Sequence, residues 1–296
     1  MLRSLTYGIR HGVKHWRAGL IVYAILLSLA LTIGIQVFQV LEASIGNSIE
    51  LEKLVKQYDY TVIRDFIKVH GASLSPLFGQ LRWYIIVYLI FSIFINGGLL
   101  NVILNDSRSD WKNFWSGGAK YFYPFFKIGV FFLIMFALWT AIIAVPASMY
   151  IGKIFNTTIT EMPMFYVAGI SAVLIILYWV VLMSWSINTK LSFIHNDHSV
   201  WKAIKTGFKL SMKGFLSTPR LLALFFLFQL IIVFVHLYIE GVLGMTSGAL
   251  IFLFFITQQL LVFFRILWRI MVYIGFNHFN FSSNKIVESN SEIQNI

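Results

Sequence analysis

The sequence contains no cysteine, few prolines and few charged residues. Of its 296 residues, five are proline, none is cysteine, and 12% are Asp, Glu, Lys or Arg. The lack of cysteine excludes disulfides, thiolate metal ligands and thiol nucleophiles. Because soluble domains carry roughly 25% charged residues, this composition is not that of a water-soluble protein.

Hydrophobic residues make up 58% of the chain and occur in long uncharged blocks rather than at amphipathic spacing. Each block is close to the ~20 residues with which an α-helix crosses a hydrocarbon core. Barrel strands would alternate polar with apolar residues, which these blocks do not. The sequence therefore predicts an all-α, polytopic transmembrane helical bundle with interfacial amphipathic helices and with six spans, at residues 18–41, 83–104, 128–151, 162–189, 221–239 and 241–270.

We expect residues 1–280 to form a single transmembrane domain. Residues 281–296 are rich in Asn and Ser and poor in apolar residues, which predicts a disordered cytoplasmic tail. The first apolar block is longer than the about 7–15 residues of a signal-peptide core, so we expect it to be retained as the first span.

The distribution of charge indicates the orientation. With the N-terminus inside, the cytoplasmic segments hold 17 of the 23 Lys and Arg residues, whereas seven of the 12 acidic residues lie outside. The positive-inside rule then predicts that both termini are cytoplasmic. Orientation and lipid headgroups account for the net charge of +11, so no nucleic-acid partner is expected.

The longest predicted outer segment, residues 42–82, contains apolar residues at steps of three and four, which is typical of an amphipathic helix. They are Leu51, Leu54, Val55, Tyr58, Val62, Phe66 and Val69. Two interpretations stay open for this outer segment. It lies on the bilayer or caps the bundle, or it is a docking surface for another protein.

A short pattern occurs twice on the predicted cytoplasmic side. Trp111-Lys112 is followed by Gly117, and Trp201-Lys202 by Gly207, each with an apolar residue and a hydroxyl residue between, and each after an Asn-Asp pair. Trp and Lys suit an amphipathic helix at the level of the headgroups, so we interpret the two segments as an internal repeat. A stripe formed by Lys202, Lys205, Lys209 and Lys213 is expected to face anionic phosphates.

These repeated Trp-Lys…Gly segments resemble the membrane domain attached to some glycerophosphoryl diester phosphodiesterases, and related uncharacterised six-helix bacterial inner-membrane proteins. The resemblance covers roughly Arg82 to Arg220, and it implies a module of a bacterial inner membrane. Hydrolysis is not carried over, because no soluble segment is long enough to be the catalytic domain of those enzymes.

Polar residues within spans are candidate functional residues, because each is costly in lipid without a partner. Asn96 lies beside two glycines near the middle of the second span, and Asn101 lies about one turn further on. Either the helix is broken there to bind a solute, or the glycines allow close helix packing with Asn96 bonded across the interface.

The last span contains a second polar series, formed by Gln258, Gln259, Arg265 and Arg269. The two arginines are four residues apart and so share a helix face near the cytoplasmic end. They serve either as orientation signals that extend to the headgroups, or as a site for a lipid phosphate or an anionic solute between helices. For the second case we predict a headgroup-level pocket beside the basic helix 201–213.

No metal, cofactor or enzymatic site is predicted. Two groups contain residue types that bind metals, His236 with Glu240 and His195 with Asp197 and His198. Neither group offers three assured ligands at a recognised metal-binding spacing. The sequence has no phosphate-binding loop, no Gly-x-Ser-x-Gly elbow and no His-Glu-x-x-His helix. We therefore expect no catalysis.

The sequence favours a non-enzymatic accessory or scaffold subunit that binds a membrane protein partner, with anionic lipids at its cytoplasmic face. The alternative is a transporter or a lipid-handling protein for an anionic lipid or a small solute. A polar cavity at mid-membrane depth would favour transport, and an apolar outer groove would favour the accessory role.

Overall fold

The computed structural model describes residues 1–45, 60–105, 111–157, 162–196, 199–244 and 247–282. Nearly all of these residues are helical, and none of them lies in a strand. The helices are α1 (Leu2–Gly12), α2 (Trp16–Ile45), α3 (Tyr60–Leu104), α4 (Trp111–Thr157), α5 (Met162–Asn196), α6 (Val200–Leu243) and α7 (Gly248–Asn277). A 3₁₀ turn, Val13–His15, joins α1 to α2, and a π-helical turn, His278–Ser282, follows α7.

Six segments of these helices are long and apolar enough to cross a membrane. They are Leu2–Val40, Gly79–Leu104, Trp111–Phe155, Met162–His195, Leu216–Leu243 and Gly248–Phe281. Large apolar side chains such as Ile142, Leu230 and Phe252 are exposed along them, as expected where lipid rather than water is the solvent. The predicted fold class is confirmed: the chain is an all-α, multi-pass membrane protein.

The second span differs from its predicted form on its outer side. Helix α3 is continuous from Tyr60 to Leu104, so residues 60–82 of the predicted outer segment extend the helix of the second span, while residues 42–45 extend α2. The described part of the outer segment is not a separate helix. Residues 46–59 of that segment lie outside the described residues, as do residues 283–296 of the predicted tail.

The fifth and sixth spans are separated at Gly244, slightly beyond the predicted boundary. Gly244 has a φ of 64°, a left-handed conformation that glycine adopts without steric cost. Its N–H donates to the Glu240 carbonyl oxygen at 2.9 Å, which closes the end of α6. Ser247 begins the next helix, because its Oγ accepts from the N–H of Leu250 at 3.3 Å.

Contacts between the residues divide the chain into two compact units. The first unit comprises Met1–His11, Lys120–Leu227 and Met271–Ile296, and the second comprises Gly12–Ala119 and Phe228–Ile270. Helices α4, α6 and α7 each contribute residues to both. The single domain expected for residues 1–280 stays a prediction.

The core of the first unit contains a cluster of neutral polar side chains. Asn188 donates to Ser211 Oγ at 2.8 Å and accepts from Asn280 at 2.7 Å. Thr218 receives hydrogen bonds from Ser184 at 3.1 Å and from Asn188 at 3.3 Å. All five side chains are buried. Because hydrogen bonds connect them, the cluster joins α5, α6 and the π-helical turn without an unpaired charge.

In the second unit, α3 and the start of α4 approach each other closely. A Cβ at Gly98 would lie 2.7 Å from the carbonyl oxygen of Phe114, so only glycine fits there without a shift. Asn101 Nδ2 donates to the carbonyl oxygen of Asn113 at 2.9 Å. The side chain of Phe114 is fully buried against this contact.

Candidate functional site

The second unit contains a cavity of about 470 Å³, which we call the α2–α3–α7 cavity after the helices that line it. This volume is in the range of small-molecule sites, roughly 300–1,000 Å³. The lining residues are Tyr23, Leu26, Leu27, Leu29, Ala30, Ile33, Leu81, Tyr84, Ile85, Tyr88, Gln259 and Val262. Because several of them are exposed, including Leu81 and Ile85, the cavity opens on the surface of the unit.

The end of the cavity that is formed by Tyr23 and Gln259 is polar. The hydroxyl of Tyr23 donates to Oε1 of Gln259 at 2.9 Å, which joins α2 to α7. The ring of Phe263 packs edge-on against Tyr23, with centroids 6.0 Å apart at 87°, a favourable aromatic geometry. The hydrogen bond and the ring contact together hold the Tyr23 side chain in one orientation.

Gln259 lies within the last segment that is long and apolar enough to cross a membrane, Gly248–Phe281. Gln259 lies eleven residues after Gly248, where α7 begins, which corresponds to about 16 Å at ~1.5 Å per residue. The hydrocarbon core of a bilayer is ~30 Å thick. Along α2 the lining extends from Tyr23 to Ile33, a length of about 15 Å at the same rise per residue. The cavity is therefore an elongated slot.

The remaining polar groups of the lining are the hydroxyls of Tyr84 and Tyr88, one helical turn apart on α3. Among the described residues neither hydroxyl has a hydrogen-bond partner. Among the residues that the structure describes, no Asp, Glu, Lys, Arg or His lines the cavity. The described lining is thus apolar and uncharged, and its side-chain hydrogen-bonding groups are hydroxyls and one amide.

The structure places the predicted polar residues of the spans in three environments. Asn96 is 6% exposed and accepts a hydrogen bond from Arg269 at 2.5 Å. Gln258 is exposed, whereas its neighbour Gln259 lines the cavity. Arg265 is exposed and lies at a smaller cavity of about 190 Å³ on the surface of the second unit.

Both tryptophans of the predicted repeat, Trp111 and Trp201, are exposed at the first turns of their helices, and so are Lys112 and Lys202. The glycines of the pattern are buried. Gly117 packs against the side chain of Asn101 in α3, and Gly207 against Thr189 in α5.

A third glycine, which the sequence analysis did not single out, makes the same kind of contact. A Cβ at Gly8 of α1 would lie 2.6 Å from the Met271 carbonyl oxygen in α7. Arg3 and Leu5 precede Gly8 at the spacing with which a basic and an apolar residue precede the other two glycines. That spacing was visible in the sequence, but the N-terminal segment lacks the tryptophan that made the other two stand out.

The predicted basic stripe lies on an exposed face of α6. Lys202, Lys205, Lys209 and Lys213 are all exposed. They belong to the first unit, and Arg265 and Arg269 belong to the second. The pocket predicted between the two arginines and this helix stays a prediction.

Among the described residues, no group of three or more His, Asp and Glu side chains is close enough to hold a metal ion. His195 Nε2 lies 2.7 Å from Asn277 Oδ1, and its ring stacks on Phe281. His236 lies 3.7 Å from Glu240, one turn away on the same helix. Asp197 and His198 lie outside the described residues.

Comparison with known proteins finds no matching family model, no similar curated protein and no similar solved structure. The resemblance to the membrane domain of the phosphodiesterases therefore stays a prediction.

Proposed function

We propose that the protein is a non-enzymatic, multi-pass protein of a bacterial inner membrane that binds a lipid in the α2–α3–α7 cavity. The observation that supports this function is the cavity itself, an elongated slot with apolar walls that extends from Gln259 along α2 and α3. Among the functions that the sequence leaves open, the proposed one is that of a lipid-handling protein. The ligand proposed for it differs from the anionic lipid that the sequence led us to expect.

The chemistry of the lining favours a lipid over a water-soluble solute. A hydrated solute would lose its water on entering the slot and would meet few groups able to replace those hydrogen bonds. A lipid chain already resides in an apolar solvent, so it enters without that cost. Its affinity then comes from close packing and from hydrogen bonds, since the hydrophobic effect does not act between lipid and a lipid-facing helix.

A pair of matched variants tests this function. Ala30 lines the slot, whereas Ala172 of α5 is an exposed alanine outside it. The full chain is purified in mild detergent, and its bound lipids are quantified by mass spectrometry. We expect Ala30→Phe to lose a lipid species that both the wild type and Ala172→Phe retain. Equal lipid content in all three proteins contradicts the proposal.

A membrane protein partner is the alternative occupant, consistent with the accessory role expected from the sequence. The apolar side chains of a partner helix would fill the same slot. The same variants distinguish the two functions, because loss of a copurifying protein from Ala30→Phe with unchanged lipid content would favour the accessory subunit.

We also propose that the predicted repeat has three copies, each a short cytoplasmic helix followed by two spans. The support is the common pattern at the starts of α1, α4 and α6. In each, a basic residue is exposed, an apolar residue two positions later is buried, and a glycine three positions further on packs against the last turns of a span. The basic residues would then face anionic headgroups at the cytoplasmic side, where both termini lie.

A further inference from the structure

The amide nitrogen of Gln259 has hydrogen-bonding capacity that no described residue uses, and this bears on what the slot binds. Its oxygen accepts the single proton of the Tyr23 hydroxyl. The amide nitrogen carries two N–H groups, and no described residue accepts from them. This inference rests on the proposed function and concerns the chemistry of the ligand.

An N–H group without an acceptor is costly within a membrane-spanning segment. In the hydrocarbon region there is no bulk water to bond with, and each unsatisfied polar group costs several kcal/mol. Gln259 is partly accessible and lines the slot, so a ligand in the slot is able to reach its amide. The residue therefore favours a ligand that brings an acceptor oxygen to the amide of Gln259.

The charge of the lining restricts the ligand further. The described part of the lining has no basic side chain to balance an anionic headgroup and no acidic one to balance a cation. An ionised group near the bilayer centre is costly without such a partner. The part of the ligand beside Gln259 is accordingly neutral, and the apolar lining between Tyr23 and Ile33 suits the chain attached to it.

We propose that the α2–α3–α7 cavity selects a neutral lipid whose carbonyl oxygen accepts a hydrogen bond from Gln259 Nε2. Tyr23 is a positioning residue, because its bond to Oε1 turns the nitrogen of the amide toward the ligand. The hydroxyls of Tyr84 and Tyr88 offer further donors along the chain of the ligand. Two classes of lipid carry this chemistry, quinones with apolar tails and acylglycerols with ester carbonyls.

Selectivity is the quantity to measure, because a purely structural role for Gln259 would not change it. Three probes are used with the full chain in detergent, decylubiquinone, dioleoylglycerol and hexadecane, the last of which has no oxygen. We expect the wild type to bind at least one carbonyl probe in preference to hexadecane, by about five- to tenfold if one neutral hydrogen bond is gained.

Gln259→Met is the main variant, since it keeps the length of the side chain and removes the amide. We expect it to lose the preference for the carbonyl probe while retaining hexadecane, and Gln258→Met, an exposed neighbour, to behave as the wild type. Tyr23→Phe should reduce the preference partially. In the wild type, the infrared carbonyl band of the bound probe should be displaced to lower frequency, a second measurement that needs no variant.

The outcomes separate this inference from the proposed function. Loss of all probe binding in Ala30→Phe, together with an unchanged preference in Gln259→Met and no displaced carbonyl band, overturns the inference and leaves lipid binding intact. Equal binding of every probe by Ala30→Phe and the wild type overturns both. Preference for decylubiquinone or for dioleoylglycerol identifies which lipid class supplies the carbonyl.

Discussion

The guanidinium of Arg269 in α7 donates a hydrogen bond to Oδ1 of Asn96, a residue of α3 that is 6% exposed. The two residues are 173 positions apart in the sequence. The bond connects two spans of the second unit, in α3 and α7. The bond also gives Asn96 a structural role of its own, because it joins α3 to α7.

Replacing Asn96 by Leu should destabilise the protein. The substitution removes the acceptor of a charge-assisted hydrogen bond, which contributes about 1.5–3 kcal/mol, and the free energy of unfolding should fall by a similar amount. Unfolding in detergent, followed by circular dichroism, measures the change. Gln258→Leu is the control, because that glutamine is exposed. A loss in the control equal to that in Asn96→Leu would refute the interpretation.

The packed glycines should be intolerant of alanine. A Cβ at Gly8 would meet the backbone of α7, and one at Gly207 would meet both the side chain and the backbone of Thr189. A Cβ at Gly117 would meet the side chain of Asn101. Overpacking of this kind costs typically ~1–3 kcal/mol. We expect Gly8→Ala and Gly207→Ala to be more damaging than Gly117→Ala, because backbone moves less easily than a side chain.

The matched control for the glycine series is Gly169→Ala in α5. No other atom lies within 4 Å of a Cβ built there, and alanine has the higher helix propensity, by about 1 kcal/mol. The melting temperature of Gly169→Ala should therefore stay the same or rise. If Gly117→Ala and Gly207→Ala melt like Gly169→Ala, the three-copy repeat loses its structural basis.

Two buried residues of α5 should respond in opposite ways to truncation. Asn188 bonds to Ser211 and Asn280, so Asn188→Ala leaves buried partners unsatisfied and should cost about 1–3 kcal/mol for each such group. Ser192 is equally buried, yet its hydroxyl has no partner among the described residues. Ser192→Ala should be neutral or stabilising. A larger loss of stability in Ser192→Ala than in Asn188→Ala would contradict the proposed cluster.

The spans were predictable because an uncharged block of about 20 residues has one stable conformation in lipid. The ends of the spans were less predictable. The sequence predicts that the fifth span ends before Glu240, since charge is costly in the membrane, but Glu240 lies beside His236 on the same helix face. The helix continues to Leu243 and ends where Gly244 adopts a left-handed conformation.

The candidate site was predictable only in part. Gln259 stood out as an amide within an apolar block, and the structure places it in the slot. Its partner Tyr23 lies 236 residues away, and no local pattern indicates a pairing at that distance. Tyr84 and Tyr88 are four residues apart and so share a helix face. This spacing can be read from the sequence, but aromatic residues are too common in spans to mark a site.

The orientation of the chain predicts where fused reporters are exposed. Fusions at Ser48 and Thr158 should be periplasmic, and fusions at Ser109, Ser199 and Ser289 cytoplasmic, because the basic residues are concentrated on the side of the last three. Alkaline phosphatase and a fluorescent protein serve as the paired reporters. A cytoplasmic signal at Ser48 would overturn the proposed orientation.

The basic stripe of α6 should determine how strongly the protein holds anionic lipid. Lys202, Lys205 and Lys209 are exposed on one helix, and each cation near an anionic surface contributes about 1 kcal/mol. Replacing all three by Gln should therefore cost about 3 kcal/mol, which is roughly a hundredfold in affinity. Native mass spectrometry would detect this as loss of bound phosphatidylglycerol or cardiolipin.

The control replaces two exposed cations on the predicted outer side of α3, Arg64 and Lys68, and it should leave lipid retention unchanged. Salt provides an independent test, because surface electrostatics weaken as the Debye length falls from about 10 Å at 0.1 M to about 3 Å at 1 M. Retention by the wild type should fall with salt, and retention by the triple variant should not. If the variant and the wild type lose lipid in parallel as salt is added, the lysines are orientation signals and not a lipid contact.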